Sequence, residues 1–209
     1  MSGLRQRCTE PSDYARVLAV MDDWWGGRPM SARLSHVFFS HFRPTSFVIE
    51  TDDRLAGFLL GFLSQTRADE GYIHFVGVDP EFRGLGLGRR LYELFFAAAA
   101  ANGRDWVSSI TAPCNQTSIA FHRRMGFLVD PGDGEVDGVP VKLDYAGAGG
   151  HRVVFHRRIS PNAWPVAPDL CLARPSSPAA SPAASPAASP ARAEGPMPVA
   201  ELLTPACAP

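Results

Sequence analysis

Val78-Asp79-Pro80-Glu81-Phe82-Arg83-Gly84-Leu85-Gly86-Leu87-Gly88-Arg89-Arg90 is the stretch on which the reading of this chain turns. A strand ends at Val78, Asp79-Pro80 turns the chain, and Gly84, Gly86 and Gly88 open a helix. Glycine lets backbone approach a ligand closely. The free N–H groups of a first helical turn then converge on one spot, where the helix dipole favours negative charge. Arg83 and Arg89 add cations at the rim, so the segment reads as a pyrophosphate cradle. It is not a P-loop, because Gly88-Arg89-Arg90 stands where that loop requires Gly-Lys followed by Ser or Thr. Nor does it fit a dinucleotide fingerprint: the glycine spacing differs, and three strands joined by tight turns come first.

Working outward, Leu4 to Cys8 reads as a short strand, and Ser12 and Asp13 offer N-caps for an amphipathic helix through about Trp24, with Tyr14, Val17, Leu18 and Met21 at helical spacing. A second helix is expected from Ser31 to His41. Strands follow at Ser46–Glu50, Leu55–Leu63 and Tyr72–Val78. The helix opened by the glycines runs to Asn102, where Gly103 takes the stop position. Trp106–Thr111 is a strand, Asn115–Met125 a short helix, and Phe127–Val129 a strand. A glycine-rich loop then precedes a last strand at Val153–Ile159. Tight turns argue for antiparallel pairing and the later strand–helix–strand units for a parallel part. The class is therefore α+β, three layers around a mixed, mostly antiparallel central sheet.

The pattern Arg83-x-x-Gly86-x-Gly88 after Val78-Asp79-Pro80 resembles the acyl-coenzyme A loop of the GNAT superfamily of N-acetyltransferases. A second segment, Asn115-x-x-Ser118-x-x-Phe121-His122 closing on Gly126-Phe127, is similar to the Asn-started helix of that family. Element order and length agree over residues 1–159. The resemblance implies an acyl-CoA N-acyltransferase fold with a V-shaped splay in the sheet. It also implies direct acetyl transfer from acetyl-CoA, as cosubstrate, to a primary amine of a small-molecule or amino-acid-like acceptor, with no metal. The alternatives are acetylation of a protein amine, transfer of a longer acyl group, and a non-catalytic acyl-CoA-binding module.

On this resemblance the main chain of Val76 and Val78 binds the pantetheine arm. Gly84, Leu85, Gly86, Leu87, Gly88 and Arg89 hold the pyrophosphate with Arg83, and Asn115 and Ser118 border the coenzyme. Alternation along the Tyr72–Val78 strand puts Tyr72, His74, Val76 and Val78 on one face, and Gly77 is expected to ease a bulge. His74 is then read as the general base, a backbone-bonded core residue or a substrate contact. Glu50 and Glu70 stand in reserve as bases. His122 occupies the place where the family commonly has a proton-donating Tyr; it is read as a general acid or a coenzyme contact. Tyr145 on the glycine-rich loop is a further residue able to reach in. Trp24, Trp25 and Arg28, at the junction after the first helix, are read as acceptor contacts along with Tyr72, by cation–π or carboxylate pairing, or as a helix C-terminus whose tryptophans cap the core. Cys114 is read as a small apolar residue rather than a nucleophile.

Composition sets the remaining bounds. The 209 residues carry 20 basic and 21 acidic side chains, a net charge of −1, and are 45% apolar. That balance gives no reason to expect a nucleic acid or a membrane as partner. The N-terminus is charged without an apolar h-region, so no signal peptide is expected and the chain is placed in the cytoplasm, as a monomer or homodimer. Four dispersed cysteines indicate neither a disulfide framework nor a zinc site. From Ser160 the composition shifts: 12 of the 19 prolines fall in residues 160–209, with Ser-Pro-Ala-Ala repeating. This segment is expected to be a disordered Pro/Ala/Ser-rich tail behind one domain of residues 1–159.

Overall fold

The computed structural model describes residues 3–52 and 54–160. The expected tail therefore lies, after Ser160, outside the described residues. Ile159, 2% exposed, still belongs to the core.

The strands are β1 (Arg5–Cys8), β2 (Phe47–Glu50), β3 (Leu55–Leu63), β4 (Glu70–Val78), β5 (Trp106–Thr111), β6 (Leu128–Val129), β7 (Gly134–Val136), β8 (Val139–Val141) and β9 (Val153–Arg158). The helices are α1 (Asp13–Trp24), α2 (Val37–Ser40), α3 (Leu87–Ala101) and α4 (Gln116–Arg124). Seven strands form one sheet in the order β1-β2-β3-β4-β5-β9-β6. Every neighbouring pair is antiparallel except β4 and β5. The α+β class and three layers expected from the sequence are what the chain forms. No helix among the described residues is long and apolar enough to cross a membrane.

Each face of the sheet buries its own apolar set. Leu87, Leu91, Phe95 and Ala99 of α3 pack on Leu59, Ile73, Val107 and Phe155. Val17, Met21 and Trp24 of α1, spaced i, i+4 and i+7, pack on Val48, Phe58 and Phe75 on the other side. Beside that second face, Arg7 donates to both Asp13 and Glu50, and Arg5 and Arg16 close on Glu50. This network ties β1, α1 and β2 together. Burial alone would raise Glu50, but the hydrogen bonds from Arg7, Arg16 and Arg5 outweigh it and hold the carboxyl down at about 2. Glu50 is thereby withdrawn as a reserve base.

Three elements differ from expectation. The second helix is reduced to a 3-10 turn at Ser31–Arg33 and the single turn α2. The glycine-rich loop contains the hairpin β7–β8, closed by Asp137 (φ 50°) and Gly138 (φ 75°). Positive φ at both central residues is what a tight two-residue hairpin turn requires, and Asp-Gly was its sequence signal. Among the described residues no cysteine is free, which corrects the expectation that the cysteines form no disulfides.

Candidate active site

Strands β4 and β5 pair only from Glu70↔Trp106 to Ile73↔Ser109. Beyond that fork they part, and the edge of β4 from His74 to Val78 faces no strand, as the expected V-shaped splay requires. The Asp79 N–H donates back to Ala56 on the β3 side, 3.0 Å. Alternation then directs the N–H groups of Val78 and Val76 to the vacated edge.

The strand does not present one continuous face. Leu60 pairs with Phe75, but Gly61 pairs with Ile73, so β4 carries one extra residue at His74. This bulge puts His74 and Phe75 on the same side. Tyr72 and His74 lie on the α2 side, His74 stacked on Phe38 at 4.9 Å. Val76 and Val78 lie against the α3 core. The expectation of a shared face fails for that reason. Gly77 is not the bulge; a Cβ there would sit 2.9 Å from the Trp25 ring.

On the α3 side, Gly84 and Gly86 hold φ of 81° and 80°, with open space where a Cβ would stand. Among the described residues, none of the backbone N–H groups from Gly84 to Arg89 donates to a backbone carbonyl. Leu87 is buried in the core and Leu85 is exposed, so both serve the loop through main chain. The arginines are less free than expected. Arg83 donates to the carbonyls of Val78 (3.3 Å) and Trp24 (2.8 Å), and Arg89 pairs with Glu93 at 2.9 Å. Asn115 caps α4 by accepting from the Ser118 N–H at 3.2 Å. Cys114 is exposed and not free.

His122 is 4% exposed and stacked on Phe155 at 4.2 Å. Its Nδ1–H donates to the Ser118 carbonyl (2.8 Å) and its Nε2 accepts from the Tyr92 hydroxyl (2.9 Å). Burial pushes it down to about 4, against the pull of the Ser118 carbonyl. A neutral imidazole with both nitrogens engaged in the core has no proton to give, so the structure does not bring His122 forward as a donor. Tyr92 also bonds Ser109, the residue at the fork. The sequence offered no sign of this hydroxyl pair, because only the packing of α3 under β5 creates it.

The opposite face holds a cavity of about 480 Å³, lined by Phe62, Glu70, Tyr72, Ser108, Tyr145 and His156 among others. Tyr145 reaches in from the loop that carries β7–β8 and hydrogen-bonds Tyr72. Glu70 bonds Arg67 at 2.8 Å and the Ser108 hydroxyl at 2.5 Å, and so is occupied. His74 lies next to Tyr72, their rings 6.3 Å apart. The residue is exposed, yet Phe38 and Phe75 flank its ring, and this apolar surround pushes the imidazole down to about 4.

The junction after α1 does not line this cavity. Trp24 is 8% exposed and stacks on Phe58. Trp25 packs on Phe58 and Phe75. Arg28 turns back to the Trp25 carbonyl at 3.0 Å. The tryptophan fills the core and the arginine caps the helix end, so the structure does not bring these expected acceptor contacts to the cavity.

Comparison with known proteins matches this arrangement. The mycothiol acetyltransferase of Gordonia bronchialis is 30% identical over 127 residues, covering 56% of this chain and 40% of that one. The L-2,4-diaminobutyric acid acetyltransferase of Nocardia farcinica is 33% identical over 118 residues, covering 55% and 60%. The chain thus matches no more than 60% of either relative's length. Among solved structures, Ard1 from Thermoplasma volcanium superposes with a TM-score of 0.61 at 17% identity, over 76% of this chain and 99% of that one. EctA from Paenibacillus lautus, solved with L-2,4-diaminobutyric acid and coenzyme A, gives 0.52 at 17% identity, over 73% and 93%. At these identities the likeness is one of fold. A sequence profile of the acetyltransferase (GNAT) family matches residues 8–127, more than half of the chain, and with the splayed sheet and glycine loop in place the chain belongs to that family.

Proposed function

We propose that the protein transfers an acetyl group from acetyl-CoA directly to a primary amine of a small-molecule, amino-acid-like acceptor. The observation that carries this reading is the two-sided splay. One face offers an anion cradle and an unpaired strand edge, and the other offers a side-chain cavity beside His74. The open backbone of Gly84 to Arg89 fits a pyrophosphate, and the edge N–H groups of Val76 and Val78 fit an extended amide-bearing arm. Acetyl-CoA supplies an activated thioester whose acyl carbon is open to attack and whose thiolate can leave.

The chain's own groups do the rest. The Val78 N–H is a fixed donor, of the kind worth a few kcal/mol to a developing oxyanion. His74, neutral at pH 7, accepts the acceptor's proton directly or through water. Its weak basicity suits a proton released as the nitrogen bonds to carbon, because that nitrogen is then far more acidic than a free ammonium. A partly open cavity of about 480 Å³ has room for a small acceptor.

The test has two parts. Acetyl-CoA is expected to raise the melting temperature while ATP and NAD do not. Free CoA release across a panel of amines is expected to depend on the acceptor. Binding without acceptor-dependent release would instead make the protein a non-catalytic acyl-CoA-binding module.

A further inference from the structure

Arg152 stands just before β9, bridged to Lys142 through paired backbone hydrogen bonds of 2.8 and 3.0 Å. It is 9% exposed. Strand alternation puts it on the side of Val154 and His156, which line the cavity, and away from Val153 and Phe155 in the α3 core. Its guanidinium makes one side-chain hydrogen bond among those seen, from Nη1 to the His151 carbonyl at 2.7 Å. No carboxylate pairs with it among the described residues.

The acids of this region are already engaged. Glu70 has Arg67 and Ser108, Asp130 has His156 (3.3 Å) and Lys142 (3.8 Å), and Asp144 has His151 (3.6 Å). The charge nearest to Arg152 in effect is another cation, Arg33 from the 3-10 turn between α1 and α2, and Tyr72 also feels it. Burying an arginine beside a second arginine costs stability unless an anion joins them. A planar fork of N–H donors on the face of β9 that carries the cavity-lining Val154 and His156 matches a carboxylate, which it can grip with two parallel bonds.

We propose that Arg152, with Arg33 near it, is the carboxylate-recognising element of the acceptor site, so that the acceptor is an amine that also bears a carboxylate. The inference rests on the amine-acetyltransferase reading and narrows it. The carboxylate settles at Arg152 on the Tyr72 side of the sheet, leaving the amine to reach His74 on the same face. This anchor comes from the far side of the splay from Trp24 and Arg28, where the sequence had placed it.

The experiment compares aminocarboxylates with their decarboxylated counterparts: 2,4-diaminobutyrate with 1,3-diaminopropane, ornithine with 1,4-diaminobutane, and lysine with 1,5-diaminopentane. CoA release is measured for the wild type, Arg152→Gln, Arg152→Lys and Arg33→Gln. The wild type is expected to favour the carboxylate-bearing member by at least about 10²-fold in kcat/KM. Arg152→Gln should erase that preference, mainly through a raised KM for the carboxylate-bearing member of each pair. Arg152→Lys should restore part of it, and acetyl-CoA affinity should stay unchanged throughout. If Arg152→Gln does not fold, Arg33→Gln, altered at an exposed residue, should still weaken the preference. Equal wild-type turnover of both members of each pair overturns the proposal and leaves the acetyltransferase reading standing. So does an equal loss on both members in folded Arg152→Gln. No turnover of any amine by a protein that binds acetyl-CoA overturns the reading itself.

Discussion

In the proposed function, the α3 face of the splay works through main chain and the opposite face through side chains. The first face presents the N–H groups of Gly84 to Arg89 and of Val76 and Val78, held by a helix start and a strand edge. The second presents Tyr72, His74, Tyr145 and Arg152, drawn from β4, a loop and the start of β9. A main-chain site depends on glycine spacing and strand order, and tolerates varied side chains. A side-chain site depends on which distant segments the fold brings together. The same scaffold can therefore keep one donor and change acceptors.

The sharpest way to break this comparison is Gly86→Glu. An anion and a side chain placed at a φ of 80° should abolish acetyl-CoA binding, and with it all turnover. Unchanged affinity by calorimetry in a folded mutant would show that the cradle lies elsewhere. On the other face, His74→Ala should lower kcat by about 10²–10⁴-fold while the acetyl-CoA Kd stays as it was. Because the imidazole sits at about 4, the wild-type pH–rate profile should show no limb near 6.5 that the mutant lacks. A limb at 6.5 that disappears with His74 would mean that the ring is far more solvated than its contacts with Phe38 and Phe75 allow.

Smaller effects separate structure from chemistry within the α3 side. His122 is held near 4 when folded and titrates near 6.5 when unfolded, so between those values the unfolded chain binds more protons. Stability should be at its full value above pH 6.5 and fall as pH drops toward 4, by up to roughly 3 kcal/mol. His122→Gln should flatten that slope in a melting series, with turnover per folded molecule changed far less than in His74→Ala. The smallest expected effect is at Arg28, whose guanidinium only caps the end of α1. Arg28→Ala should leave the acceptor KM within about twofold, as surface substitutions do. A larger rise would return the junction after α1 to the acceptor site.

The local geometry of the main-chain face was legible in the sequence. Gly84, Gly86 and Gly88 after a strand end, and Asn115 opening a short helix, are local signals of local geometry. The side-chain half was legible only in part. His74 was found by its offset from Val76, but the assigned face was wrong, because a bulge is an event of pairing and leaves no mark in one strand's alternation. Trp24 reads from the sequence either as a ligand-binding aromatic or as a cap on the core, and its stacking on Phe58, 34 positions away, is what puts it in the core. Arg152 was missed because its isolation from any carboxylate is a property of the assembled face. The hairpin closed by Asp137-Gly138 was the opposite case, a local signal that was present and went unread.

The extra residue in β4 makes that strand two registers joined end to end. Ahead of the join, positions 72 and 74 look toward the α2 side, where Tyr72 lines the cavity; after it, positions 76 and 78 look toward α3. A library that randomises 72 and 74 therefore explores acceptor choice without touching the donor side. Removing residue 74 would close the bulge, because Leu60–Phe75 and Gly61–Ile73 would then be consecutive pairs; Tyr72 and Ile73 would keep their faces, whereas removing a residue ahead of the bulge would rephase them. For anyone redesigning this scaffold, the number of residues in the strand is as strict a constraint as their identity.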